Sequence, residues 1–139
     1  MNVISGSNIP KLDWCGTDNS DPWVKISLVR RIYSPSGSNY VHELIGDSAT
    51  THRIMHESNP FWNREFYFRV KPKEHTLILQ VFDYDSIPKI KNEFIGTVSI
   101  ELLDVIIDDD ERIIDKNYTL LKAWMRPNII WHSKRVCKF

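Results

Sequence analysis

Four aspartates and one glutamate carry the most suggestive chemistry in this 139-residue chain. Asp13 and Asp21 lie in Lys11-Leu-Asp-Trp-Cys-Gly-Thr-Asp-Asn-Ser-Asp-Pro-Trp-Val-Lys25. Asp83 and Asp85 lie in Leu79-Gln-Val-Phe-Asp-Tyr-Asp85, and Glu93 follows in Asn92-Glu-Phe-Ile-Gly96. Each acidic cluster adjoins a strand-like run. Carboxylates repel one another, so converging them in a fold is unfavourable unless a cation neutralises them. A hard, oxygen-seeking ion is the natural countercharge. Calcium fits best, because it accepts several carboxylates in loose geometry. The plainer alternative is two acidic turns: Asp before Pro is a common turn former, and Asp83 with Asp85 can cap a loop without metal.

Elements that would position these acids are mostly strands. Trp23–Val29 alternates apolar and polar residues, and Phe61–Val70 does so with aromatics. Thr76–Phe82 is almost continuously apolar, as expected of a central strand, and Phe94–Ile100 is β-branched and alternating. Further strands are expected near Tyr40–Ile45, Ala49–Ile54 and Tyr118–Trp124. Leu102–Lys116 reads as a connecting loop or one helical turn. Turn residues at Asn19–Pro22, Ser34–Ser38, Ser58–Pro60 and Lys71–Lys73 punctuate the runs. Short strands so separated predict an antiparallel β-sandwich. Trp23, Trp62, Phe66, Phe68 and Phe82 are expected in its core.

Composition narrows the function classes. The length favours one domain, and 42% hydrophobic residues suffice for a core. Lys plus Arg and Asp plus Glu both number 18, so no global basic excess draws the chain to nucleic acid. Cys15 and Cys137 make neither a disulfide framework nor a zinc pattern, and a reducing setting is the default expectation. No apolar run approaches the roughly 20 residues that span a bilayer, and the start lacks a signal-peptide pattern. No catalytic constellation stands out. Cys137 and His132 lack a third group, and Cys15 sits beside Asp13, whose charge disfavours a thiolate.

Four motifs together resemble the C2 domain, a calcium-dependent phospholipid-binding β-sandwich. They are Ser20-Asp-Pro-Trp-Val-Lys25, Asn59-Pro-Phe-Trp-Asn-Arg-Glu-Phe66, Val81-Phe-Asp-Tyr-Asp85 and Glu93-Phe-Ile-Gly96. Glu65–Pro72, His75–Asp83, Asn117-Tyr-Thr-Leu-Leu121, Arg126-Pro127 and His132–Val136 further resemble the C2 domain of NEDD-type HECT ubiquitin ligases. The resemblance implies an all-β, eight-stranded antiparallel Greek-key sandwich filling residues 1–139 as a single domain. The chain departs from that pattern at its terminal strands, which read as short, and if both are short, edge pairing is expected to be lost. The resemblance also implies calcium ligands on loops at one end: Asp13 and Asp21 in the first, Asp83 and Asp85 in the third. Glu93 stands where the family has a further aspartate, beside Asn92.

Calcium bound there would reverse the local potential, and anionic lipid oxygens would complete its coordination. Trp14, Ile87 and Ile90 are candidate membrane-inserting tips, with Lys89 and Lys91 against headgroups. For each, a packed or solvated loop is the simpler reading. Lys25, Arg53, Arg64 and Arg69 are candidates for a basic lipid-binding face. The expected function is a monomeric, cytoplasmic module, recruited to anionic phospholipid membranes when calcium rises. It would target a ligase there and contact that ligase's own HECT domain in autoinhibition. The competing expectation is a calcium-independent protein-interaction domain.

Overall fold

The computed structural model describes residues 1–11, 19–33, 40–84, 92–105, 118–120 and 132–134. Along them the chain forms β1 (Asn2–Ser5), β2 (Pro22–Tyr33), β3 (Tyr40–Leu44), β4 (Ala49–Thr50), β5 (Phe61–Glu65), β6 (His75–Asp83), β7 (Glu93–Glu101), α1 (Leu102–Val105) and β8 (His132–Lys134). Their pairings are antiparallel and make two sheets, as the sequence pattern predicts. One sheet has the order β3-β2-β6-β7, with β4 also on β2. The other has the order β5-β1-β8.

Period-two alternation decides which side of the larger sheet is dry. Val24, Ile26 and Leu28 on β2 are buried, as are Leu77, Leu79 and Val81 on β6 and Ile95, Val98 and Ile100 on β7. Val3 of β1 and Trp62 of β5 meet them in one cluster with Phe66, so the two sheets share a core. Fully burying such side chains contributes about 1.5–3 kcal/mol each against an extended chain.

Trp23 and Phe82 fall on the opposite parity, which corrects the expectation that they belong to the core. Val24 and Val81 beside them point inward at 0% exposure. Trp23 and Phe82 therefore project from the outer face. They stack there at 4.9 Å, and Phe94 meets Phe82 edge-on at 5.6 Å. Trp62 and Phe66 are core residues as expected, and Phe68 packs against the core's margin.

Strand limits also differ from the sequence pattern. β2 extends four residues past Val29, because Arg30–Tyr33 pair with Tyr40–Glu43 in a hairpin. Gly46, left-handed at φ 70°, turns the chain between β3 and β4. After Thr50 the segment still follows β2, through Thr51 to Val24, Ile54 to Pro22 and Glu57 to Ser20, but without ladder spacing. β5 stops at Glu65 near left-handed Asn63, and Phe66 adds one more bond to Met1. β1 is short yet lies between β5 and β8, so the expected loss of pairing at this strand does not occur. Of the expected strand at Tyr118–Trp124, residues 118–120 are described, with a single bridge at Thr119. Gly96 allows this stretch to approach, since a Cβ there would meet the Leu120 Cβ at 3.1 Å.

Candidate metal centre

The antiparallel register brings the acids together. β2 begins at Pro22, opposite Asp83, the last residue of β6, and Asp83 in turn faces Glu93, the first residue of β7. One pole of the larger sheet thus carries Asp21, Asp83 and Glu93 on three adjacent chains. Their separation in sequence is cancelled by pairing.

Asp21 and Asp83 are locked to each other. The Asp21 backbone N–H donates to Asp83 Oδ1 at 2.7 Å, and the Tyr84 N–H donates to the Asp21 carbonyl at 3.2 Å. Asp83 is only 3% exposed, and its Oδ2 is buried with no hydrogen-bond partner among the described residues. A buried carboxylate oxygen left unmatched is costly, and native folds almost always satisfy such atoms. A bound cation would satisfy it. The two converging donors are oxygen-only and anionic, the chemistry calcium prefers, so they fit that ion as part of a ligand set.

Asp21 is held from the other side. Its Oδ1 accepts the His56 backbone N–H at 2.8 Å, with His56 Nδ1 at 3.5 Å from the same oxygen. His56 adopts a left-handed φ of 54°, and Asn19 Nδ2 donates to its carbonyl at 3.2 Å. Ser20 Oγ reaches the Pro10 carbonyl at 2.8 Å, tying the first loop to the chain leaving β1. One oxygen of each aspartate is thus occupied by a backbone N–H, which fixes how the carboxylates are presented.

A family model described as the C2 domain matches residues 1–120. The chain belongs to the C2 domain family. Two curated relatives of this C2 domain are ubiquitin ligases. The E3 ubiquitin-protein ligase Nedd-4 of Drosophila melanogaster is 36% identical over 120 residues, covering 85% of this chain and 10% of that protein. NEDD4 of Rattus norvegicus is 29% identical over 136 residues, covering 98% of this chain and 13% of that protein. The chain therefore spans about a tenth of the length of these relatives. A C2 domain of plant Extended Synaptotagmin 1 shares the fold with a TM-score of 0.67 at 22% identity, covering 94% of this chain and 86% of that one. Human GIVD cytosolic phospholipase A2 does so at 0.68 and 18% identity, covering 94% of this chain and 15% of that one.

Within the C2 domain, the described acids account for part of the expected ligand set. Asp21 and Asp83 converge. Glu93 is exposed opposite Asp83, and among the described residues no three Asp, Glu, His or Cys side chains cluster. Asp13 and Asp85 lie outside the described residues, as do Trp14, Ile87, Lys89, Ile90 and Lys91. The four basic candidates do not form one sheet face. Lys25 is on β2 of the larger sheet and Arg64 on β5 of the other, while Arg53 and Arg69 lie outside strands. Two contributors escape a reading of the sequence. His56 carries no motif that marks it as a clamp on Asp21. Tyr84 is visible there only as the spacer between Asp83 and Asp85, yet its ring lies 4.2 Å from the Arg53 guanidinium.

Proposed function

We propose that residues 1–139 act as a single C2 domain that binds calcium through Asp13, Asp21, Asp83, Asp85 and Glu93 and thereby docks on anionic phospholipid. The observation that carries this reading is Asp83 Oδ2, a buried carboxylate oxygen with no partner among the described residues, beside a second aspartate. Calcium supplies the missing positive charge when bound. Asp21 and Asp83 hold it, and their backbone contacts keep them oriented for it. Without the ion the pole is acidic and repels an anionic leaflet. With it, the local sign reverses and lipid oxygens become ligands. Trp14, Ile87, Lys89, Ile90 and Lys91 lie on the two loops that flank this pole in sequence, and they are its further membrane contacts.

The likeness to the NEDD4 proteins supports a place for this domain in a HECT-type ubiquitin ligase. Its part there is binding, not catalysis: it would bring the ligase from the cytoplasm to membranes when calcium rises, and rest against the HECT domain otherwise. A second reading, a calcium-independent protein-binding surface, is favoured by one observation. The β2–β3 hairpin at the far pole exposes Ile32, Tyr33, Tyr40, Val41 and Leu44.

Co-sedimentation with phosphatidylserine-containing vesicles separates the two. The chain is expected in the pellet with calcium and in the supernatant with chelator. Equal partition in both conditions would overturn the calcium reading and leave the protein-binding one.

A further inference from the structure

An outer strand of a sheet leaves a row of backbone N–H and C=O groups without a ladder partner, and native proteins guard such edges with charges, bulges or irregular backbone. Among the described strands the outer ones are β3 and β7 of the larger sheet and β5 and β8 of the other. β7 carries Glu93 and Glu101, with a register shift opposite Val81 and Phe82. β5 carries Arg64 and Glu65 beside left-handed Asn63, and β8 carries Lys134. β3, Tyr40-Val-His-Glu-Leu44, has no such guard. It contains no Lys, Pro or Gly, its register against β2 is unbroken, and its acid, Glu43, is paired with Arg30.

The hydrogen-bond phase of the hairpin decides which β3 groups face outward. Ile45 N–H donates to the Leu28 carbonyl at 2.8 Å, just beyond the Val29–Leu44 pair. Bonded and non-bonded pairs alternate along an antiparallel ladder. Val41 and Glu43 therefore bond to β2, whereas Tyr40, His42 and Leu44 turn their backbone groups to the open edge. This row is symmetric about His42. Turned about a two-fold axis there, it meets its own copy with Tyr40 opposite Leu44 and His42 opposite itself, in about six hydrogen bonds. The side chains suit that register, since Tyr40 is 51% exposed and Leu44 50%, an aromatic–aliphatic cross-strand pair. Charge does not oppose it. Arg30 and Arg31 of the hairpin are paired with Glu43 and Glu101, and the formal net charge of the chain is zero.

We infer that the β3 edge is an interface between two copies of this chain, which pair antiparallel about His42 into one continuous sheet. A second copy is favoured over an unrelated strand because the edge complements itself in backbone, side chain and charge together. An unrelated strand would use only the backbone row. Five residues a side are few beside a standard interface of about 1,600 Å2, so association is weak, half-complete on the order of a hundred micromolar. The contact uses the end of β2 opposite Pro22 and the acidic pole, so it requires no calcium.

The test is sedimentation equilibrium of the chain in chelator, from low micromolar to millimolar concentration. The mass is expected to rise from 16.4 kDa toward twice that and no further. His42→Pro removes the central outward N–H without touching the bonds to β2, and should weaken association more than about tenfold. His42→Lys and His42→Glu each set like charges opposite one another across the axis, and each should weaken it about fivefold. An equimolar mixture of those two variants restores association, because lysine then faces glutamate. A merely structural role for His42 gives no such recovery. Thermal melts check that each variant folds. A mass fixed at 16.4 kDa up to millimolar concentration overturns the inference and leaves the edge to a strand of another protein. Undiminished association of His42→Pro, or no recovery in the mixture, also overturns it, since the contact would then lie elsewhere. Growth beyond a dimer does the same, because an isologous pair closes on itself. Each result is read without calcium, so the calcium reading stands or falls separately.

Discussion

Asp83→Asn is expected to abolish the proposed calcium-dependent vesicle binding yet leave the calcium-free fold as stable as wild type, or more so. Asparagine keeps the Oδ1 acceptor that takes the Asp21 N–H at 2.7 Å, so the link between the two loops survives. What disappears is a charge that is only 3% exposed and, on Oδ2, unpartnered. In chelator, removing a buried unmatched charge relieves a desolvation penalty, so the melting temperature should hold or rise by a few degrees. In calcium the sign inverts. On the proposed calcium binding, the wild type should gain stability by linkage, about 2.7 kcal/mol at a hundred times the dissociation constant. The variant loses roughly a hundredfold or more in affinity, with each tenfold being about 1.4 kcal/mol, and gains little. Asp83→Ala is the control. It orphans the Asp21 N–H as well, and should cost about 1–3 kcal/mol even in chelator. Melts with and without calcium, beside co-sedimentation, separate these effects. A marked loss of chelator stability in Asp83→Asn would mean the carboxylate is a structural cap rather than a metal ligand.

Trp62→Ala should cost about 3–5 kcal/mol, the range for deleting a large buried aromatic. Trp62 is 3% exposed at the seam between the sheets, and its ring lies against Gly6, whose Cβ would meet Cζ3 at 3.3 Å. Its indole N–H also donates to the Pro22 carbonyl at 3.2 Å, one residue from Asp21. With typical domain stabilities of about 5–15 kcal/mol, such a loss leaves the variant near unfolding. Trp62→Phe keeps most of the volume and loses the hydrogen bond. The Pro22 carbonyl still accepts from Ile54 N–H, so the cost should be only about 1 kcal/mol. Urea melts should show both shifts in midpoint with little change in slope. Equal, small effects would place Trp62 outside the core.

Most of the larger sheet is legible in the sequence, since alternation in β2, β6 and β7 writes burial directly onto residue type. Its failure at Trp23 and Phe82 is instructive. The run Thr76–Phe82 is so uniformly apolar that its parity is hidden, and residue type alone assigns large aromatics inward. Val24, Ile26 and Leu28 on the paired strand hold the parity that corrects them. The segment after β4 resists for a different reason. Its backbone contacts to β2 and the residues just before it come every third residue, and His56, which binds Asp21, has a left-handed backbone that no glycine announces. At the candidate metal centre, Asp21 and Asp83 are readable because family motifs and strand register agree. Arg53 is read from sequence only as a candidate for a basic face; its seat on Tyr84 joins distant parts of the chain through a tertiary contact, which composition and spacing do not encode.

Calorimetric titration of calcium into the lipid-free chain asks whether the acidic pole is a metal centre at all. Wild type is expected to give a saturable binding isotherm, lost in Asp83→Asn and undisturbed in Arg53→Gln. A flat wild-type titration, or equal isotherms for wild type and Asp83→Asn, would contradict calcium binding at this pole.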